Sequence, residues 1–152
     1  MKIVIQRVLE AKVIIDKQLH SQIGYGLLVL LGIHKEDKAD QIKWLINKLI
    51  HLRIFKDEEG KMNRSIKDVE GEVLVVSQFT LYGHCLNGRR PDFMQAAPPV
   101  IAEPIYRQFV EQLSVEIPNV QTGLFGAEMQ LSFTNDGPVT FILERDGEVV
   151  SK

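Results

Sequence analysis

A single cysteine, Cys85, stands among 152 residues. One sulfur can build neither an intrachain disulfide nor a thiolate metal cluster. The sequence also lacks a strong excess of either charge. Its formal net charge is -2, which argues against a protein whose main business is coating nucleic acid. An enzyme gripping a small part of an RNA through a local basic patch stays open. No apolar run approaches the roughly 20 residues that span a bilayer as a helix; the longest, Leu27 to Leu31, is strand-sized, and no membrane association is expected. His20, His34, His51 and His84 are scattered, with no pair at ligand spacing on one helix, so no metal is expected. Walker-type and dinucleotide glycine loops, internal repeats and low-complexity tracts are absent too, and no cofactor is implied.

Hydrophobic residues at 45% and charged residues at 25% describe an ordinary globular chain. Its length suits one domain over residues 1–152. Met1 to Arg7 carries a charge early and no small-residue cleavage site, so it reads as the first strand of a cytoplasmic protein without a secretory signal. Lys2 to Val8 and Lys12 to Asp16 pattern as strands, with Leu9-Glu10-Ala11 as a turn between them. Leu19 to Ile23 is a weaker strand, and Leu27 to Leu31 a strand buried on both faces. Ile42, Leu45, Ile46, Leu49 and Ile50 fall at helical spacing. Leu52 to Phe55 suggests a short strand, residues 57–60 a turn, and Glu72 to Phe79 a strong strand. The irregular stretch from Gly83 to Pro99 is long for a compact domain, and such loops are more often functional than idle. Ile101, Ile105, Phe109 and Leu113 mark a second helix whose regular part is expected to start near Pro104. Val120 to Thr122, Glu128 to Phe133 and Val139 to Glu144 complete the strands, with Gly123 and Gly126 marking turns. The expectation is an α+β fold: a mainly antiparallel, barrel-like β-sheet core with two main helices.

Few residues offer chemistry. Cys85 and His84 are neighbours, and adjacent strand residues face opposite ways, so they read as loop residues rather than a nucleophile pair. Lys61-Met62-Asn63-Arg64-Ser65 is a solvated loop or an RNA contact. Two motifs remain: Ser77-Gln78-Phe79-Thr80-Leu81 and Asn135-Asp136-Gly137-Pro138-Val139-Thr140. Taken alone, the first is the end of a buried strand with hydroxyls capping the next turn. The second is turn chemistry, since Gly137 tolerates positive φ and Pro138 fixes its own.

These two motifs do not stand alone. With Ile5-Gln6-Arg7-Val8, Gly26-Leu27-Leu28-Val29-Leu30-Leu31-Gly32, Leu52-Arg53-Ile54-Phe55, Gly60-Lys61-Met62-Asn63 and Thr122-Gly123-Leu124-Phe125-Gly126-Ala127, they form an ordered series running nearly end to end. That series resembles the D-aminoacyl-tRNA deacylases. The resemblance implies a homodimeric hydrolase that cleaves the ester between a D-amino acid and the 3′-terminal adenosine of tRNA. It implies that Gly137-Pro138 forms a cis peptide and enters the partner's pocket, where its carbonyls hold the substrate amino group and its backbone crowds out an L side chain. Glycine, with no side chain to exclude, should then be removed from tRNA as well. By the same resemblance Arg7 helps hold the Gly-Pro element, Gln78 and Phe79 shape an adenosine pocket that Met129 also lines, and Ser77 and Thr80 belong to the reacting centre. A core position is the competing reading for Met129.

The chemistry is less direct. Neither motif contains His, Lys or Cys, so no ordinary general base is present in them. Thr80 as nucleophile lacks an activating partner. The preferred route is assistance by the ribose 2′-hydroxyl, with backbone N–H groups around Phe79 and Thr80 as an oxyanion site. One loop departs from the family pattern: Arg89 and Asp92 stand where an asparagine and a serine are usual, and His84-Cys85-Leu86 is atypical. Two rival readings compete with this one: a deacylase of L-aminoacyl-tRNA, and a non-catalytic RNA-binding module. The intact Ser77-Gln78-Phe79-Thr80 speaks against the first, and the survival of both motifs against the second.

Overall fold

The computed structural model describes residues 1–145. Eight strands and two helices follow in the order β1 (Lys2–Ile15), β2 (Gln18–Ile23), β3 (Gly26–Gly32), α1 (Asp40–His51), β4 (Phe55–Lys56), β5 (Met62–Arg64), β6 (Glu72–Ser77), α2 (Pro99–Glu116), β7 (Val120–Thr122) and β8 (Gln130–Glu144). The main sheet runs β2-β1-β3-β6-β7, with β8 paired along the length of β1; β4 and β5 form a separate ribbon. β1 is antiparallel to β2, β3 and β8, whereas β3–β6 and β6–β7 are parallel. The sheet curls until β2 approaches β7, where the Ser21 hydroxyl donates to the Thr122 carbonyl at 2.7 Å. The α+β, barrel-like architecture expected from sequence is the one observed.

Two cores share the central strands. Leu27, Val29 and Leu31 of β3, with Val73 and Val75 of β6, meet both helices on one face. Leu28, Leu74 and Val76 point the opposite way, into the barrel interior with Val8, Val13 and Ile23. The uninterrupted apolar runs of β3 and β6 follow from this, because a strand covered on both faces has no polar side to alternate with. α1 buries Ile42, Leu45, Ile46, Leu49 and Ile50, with Asp40 in its first turn and Lys48 and His51 in its last, a charge order that suits the helix dipole.

Four local expectations change. Leu9-Glu10-Ala11 is no turn: β1 continues through it, and its pairing with β8 shifts register between Gln6 and Val8 and again between Val8 and Glu10. Buried Arg7 and Val8 followed by exposed Leu9 and Glu10 break the in–out alternation, which mimics a turn in sequence but is a bulge in space. Leu52 to Ile54 is not extended pairing, and only Phe55–Lys56 forms strand. β6 stops at Ser77, and Phe79–Tyr82 winds into a short 3₁₀ helix. α2 begins at Pro99 and carries Pro104 in its interior, beside the exposed Val100 whose freed carbonyl can meet water. Its buried row is Ala102, Tyr106, Phe109 and Leu113. A strict four-residue spacing precesses by about 40° per step on a 3.6-residue helix, so the row drawn through Ile101 and Ile105 drifts off the buried face.

Candidate active site

β6 delivers Ser77 to the edge of the sheet on the helix side, one position beyond Val76, which faces the barrel. The N–H of Gln78 still donates to the Leu31 carbonyl at 2.8 Å, after which the chain turns into the 3₁₀ helix. Leu81 N–H donates to the Gln78 carbonyl at 3.3 Å, and Gly83 N–H to that of Thr80 at 2.9 Å. The N–H groups of Phe79 and Thr80, first in the turn, have no protein partner among the described residues, as helix geometry dictates for initial donors. They are two adjacent, uncommitted donors.

Ser77, Gln78 and Phe79 line a pocket of about 380 Å³. Leu31 and Ile33 form its floor. Phe93, Ala96, Ala97 and Pro98 come from the long loop, Pro99 and Ala102 from the start of α2, and Phe125 and Gly126 from the turn after β7. No His, Lys, Cys, Asp or Glu is among these lining residues. Phe79 is 57% exposed and meets Phe93 edge-on, ring centres 5.0 Å apart at 68°, leaving aromatic surface at the mouth. Tyr106 stands behind the pocket with its hydroxyl donating to the Val75 carbonyl at 2.9 Å. Burial pushes its phenol up to about 12, against a smaller lowering from Thr122, so it stays neutral at ordinary pH and is no base. His34, next to Ile33, has both ring nitrogens engaged, Nε2 with Gln95 Oε1 at 2.9 Å and Nδ1 with the Glu36 N–H at 3.2 Å. What this pocket offers chemically is shape, aromatic surface, the Ser77 hydroxyl, the Gln78 amide and backbone dipoles.

The remaining sequence-predicted residues lie elsewhere. Thr80 is exposed, outside the pocket lining, and its hydroxyl oxygen accepts from the Gln78 side-chain amide. Met129 packs against the barrel-interior cluster, and its sulfur accepts from Leu124 N–H at 3.4 Å. It braces the start of the turn that carries Phe125 and Gly126, without lining the pocket itself.

Gly137 and Pro138 sit opposite the middle of β1. There β8 does not turn. Asn135 pairs with Val8 and Thr140 with Gln6, so the four residues between them bulge outward opposite Arg7. The Gly137–Pro138 peptide is cis, and Gly137 has φ +122°. Arg7, only 1% exposed, donates to the Ile54 carbonyl, and its Nε lies 2.8 Å from the Asp136 carboxylate. Asn135 closes the bulge from within: Oδ1 accepts from Val139 N–H at 3.1 Å and Nδ2 donates to the Thr140 hydroxyl at 3.1 Å. A side chain at Gly137 would strike Val139 at 2.7 Å and Arg7 at 3.2 Å. Gly137 and Pro138 are themselves exposed. The element is a protruding tip on a braced base.

Within one chain the two motifs are apart. Arg7 pairs with Leu27 on β3, while Ser77 pairs with Leu31. Four residues of strand separate them, about 13 Å along the strands, plus about 14 Å for the three strand spacings from β8 to β6. The sequence gives no sign of Phe93, Phe125 or Asn135 as parts of a site beyond their place in the long loop and the quoted blocks.

The sequence model of the family described as D-Tyr-tRNA(Tyr) deacylase matches residues 4–144. The D-aminoacyl-tRNA deacylase of Protochlamydia amoebophila is 67% identical over 144 residues, 95% of each chain. A solved structure titled c-Myc DNA Unwinding Element Binding Protein superposes with a TM-score of 0.92 at 43% identity, covering 97% of this chain and 100% of that one. Another, titled as a probable eukaryotic D-amino acid tRNA deacylase, shares the fold with a TM-score of 0.82 at 18% identity, covering 93% and 97%.

Proposed function

The chain belongs to the D-Tyr-tRNA(Tyr) deacylase family, and on that premise we propose that it frees tRNA from D-amino acids by hydrolysing their ester to the terminal ribose. Water adds to the ester carbonyl, the bond from the acyl carbon to the ribose oxygen breaks, and that oxygen leaves with a proton. The products are the free D-amino acid and tRNA. The observation that carries this reading is the pocket at Ser77–Phe79, apolar, aromatic at its mouth and flanked by two uncommitted N–H donors. Phe79, backed edge-on by Phe93, stacks on the adenine, as aromatic side chains do with single-stranded bases. The Phe79 and Thr80 N–H groups receive the charge that develops on the carbonyl oxygen.

Activation of water comes from the ribose 2′-hydroxyl. The pocket lining has no residue suited to be a base, and Thr80 has its oxygen hydrogen-bonded to Gln78. An aminoacyl ester is already labile, so holding it in one geometry accounts for most of what such a site must do.

Chirality is set by Gly137 and Pro138, supplied by the partner chain of a homodimer. Two features support this: the tip is exposed on a base fixed by Arg7, Asp136 and Asn135, and it lies far from its own chain's pocket. Ile142, exposed on the outer face of β8 beside Val4, gives the dimer an apolar contact. Discrimination is exclusion of the L side chain, so glycyl-tRNA is also a substrate. Among the described residues no helix is long and apolar enough to cross a membrane; the working compartment is the cytoplasm, where charged tRNA is used.

Matched D- and L-tyrosyl-tRNA provide the test. Rapid loss of the D ester with the L ester intact is expected. Equal rates would refute the chiral reading, and no turnover of either would refute the deacylase reading.

A further inference from the structure

The loop between His84 and Asp92 is absorbed by neither the pocket nor the Gly137–Pro138 tip proposed above as a chiral gate. It is a closed hairpin: His84 N–H donates to the Asp92 carbonyl at 2.9 Å, Asp92 N–H returns the bond at 3.0 Å, and the His84 ring lies 3.3 Å from the Asp92 carboxylate. Gly88 turns the tip with φ +79°. Beyond the tip stand Arg89 and Arg90, both exposed, and neither has an ion-pair or hydrogen-bond partner among the described residues. The one carboxylate on the hairpin, Asp92, is drawn back onto His84 and the Met94 N–H. Two cations are therefore offered outward on a chain whose net charge is -2.

The hairpin is also tied to the pocket. Phe93, immediately after Asp92, is the pocket wall that meets Phe79, and its ring lies so close to Gly83 that a Cβ there would sit 3.0 Å away. Arg90 and Phe93 are three residues apart, at most about 10 Å of chain. Cations beside an aromatic platform are the combination that holds single-stranded nucleic acid: bases stack while the backbone follows the charge.

We propose that Arg89 and Arg90 form a phosphate grip for the 3′ single strand of tRNA, contacting the backbone upstream of the adenosine seated against Phe79. The grip rests on the deacylase reading above and adds to it a backbone subsite that sets how the strand enters. Guanidinium groups suit this work because their donors pair with phosphate oxygens in a fixed fork.

Uncharged tRNA labelled at its 5′ end tests the grip directly, because binding is read without catalysis. Anisotropy titrations from 50 to 200 mM salt compare wild type with Arg89→Gln, Arg90→Gln, Arg89→Lys and Lys17→Gln. The last removes equal charge at the exposed β1–β2 turn. Each Arg→Gln variant is expected to weaken binding about 3–10-fold and to flatten the dependence of log affinity on log salt by about 0.7, the value for one lost phosphate contact on a single strand. Arg89→Lys is expected to recover the slope, and Lys17→Gln to leave it unchanged. Wild-type slopes in both Arg→Gln variants, or an equal change in Lys17→Gln, overturn the grip while leaving deacylation of D-tyrosyl-tRNA by the wild type intact. Failure of wild type to bind or deacylate tRNA overturns both.

Discussion

Thr80 shows how far a single side chain departs from what its motif suggests. It stands in the most recognisable segment of the sequence and carries a hydroxyl, yet that oxygen is bonded to Gln78 and exposed outside the pocket lining. The groups left free at this turn are backbone N–H donors, which substitution does not remove. Thr80→Ala is accordingly expected to keep single-turnover hydrolysis of D-tyrosyl-tRNA within about 10-fold of wild type. A nucleophile or its base would cost far more, on the order of 10³-fold or above. Arg7 follows a different logic. Its guanidinium is buried, one nitrogen on a backbone carbonyl and another on Asp136, and such a pair is valuable chiefly because removing one partner strands the other. Its contribution is to the fixed base under Gly137.

At the scale of elements, β3 and β6 carry the site because they run parallel and side by side, ending together at Leu31 and Ser77. Their approach begins at Gly26, where a Cβ would fall 1.9 Å from the Glu72 carbonyl oxygen. Gly26→Ala is expected to force these strands apart and lower stability by about 2–4 kcal/mol, a range set by strain and lost packing together; urea denaturation with unchanged stability would contradict the close approach. The elements with local causes were legible in sequence: α1 from its apolar spacing, β3 and β6 from unbroken apolar runs. The bulges were not. Leu9-Glu10-Ala11 breaks the strand alternation and Asn135 to Pro138 carries turn composition, and neither signal distinguishes a chain that reverses from one that swells and continues along its neighbour. Only the long pairing of β1 with β8 decides that, and it joins residues more than a hundred positions apart. The pocket divides likewise. Ser77 to Phe79 were marked by their motif, whereas Phe93 and Phe125 join them through the loop's course and the closure after β7.

For the whole molecule, the decisive fact is the distance between pocket and gate within one chain. In the dimer proposed above, a tip that protrudes far from its own pocket reaches the partner's, and Ile142, exposed on the outer face of β8, supplies an apolar point of contact. Ile142 is 65% exposed, so Ile142→Glu removes no core packing. It is expected to give a folded monomer by sedimentation with unchanged circular dichroism, and at least about 10-fold slower D-tyrosyl-tRNA hydrolysis, given the cost of a charge in an apolar contact. The claim on which the account turns, a site completed by the partner's Gly137 and Pro138, is tested most directly by subunit complementation. One chain carries Ala96→Trp, which fills the pocket; the other carries Gly137→Ala, which collides with Val139 and Arg7 at a φ unsuited to alanine. Separately tagged, co-expressed and isolated as the mixed dimer, they leave one site with both lesions and one with neither. About half the wild-type rate on D-tyrosyl-tRNA, with wild-type rejection of the L ester, is expected by counting intact sites. A mixed dimer no more active or selective than either parent variant would place the gate over its own chain's pocket and contradict it.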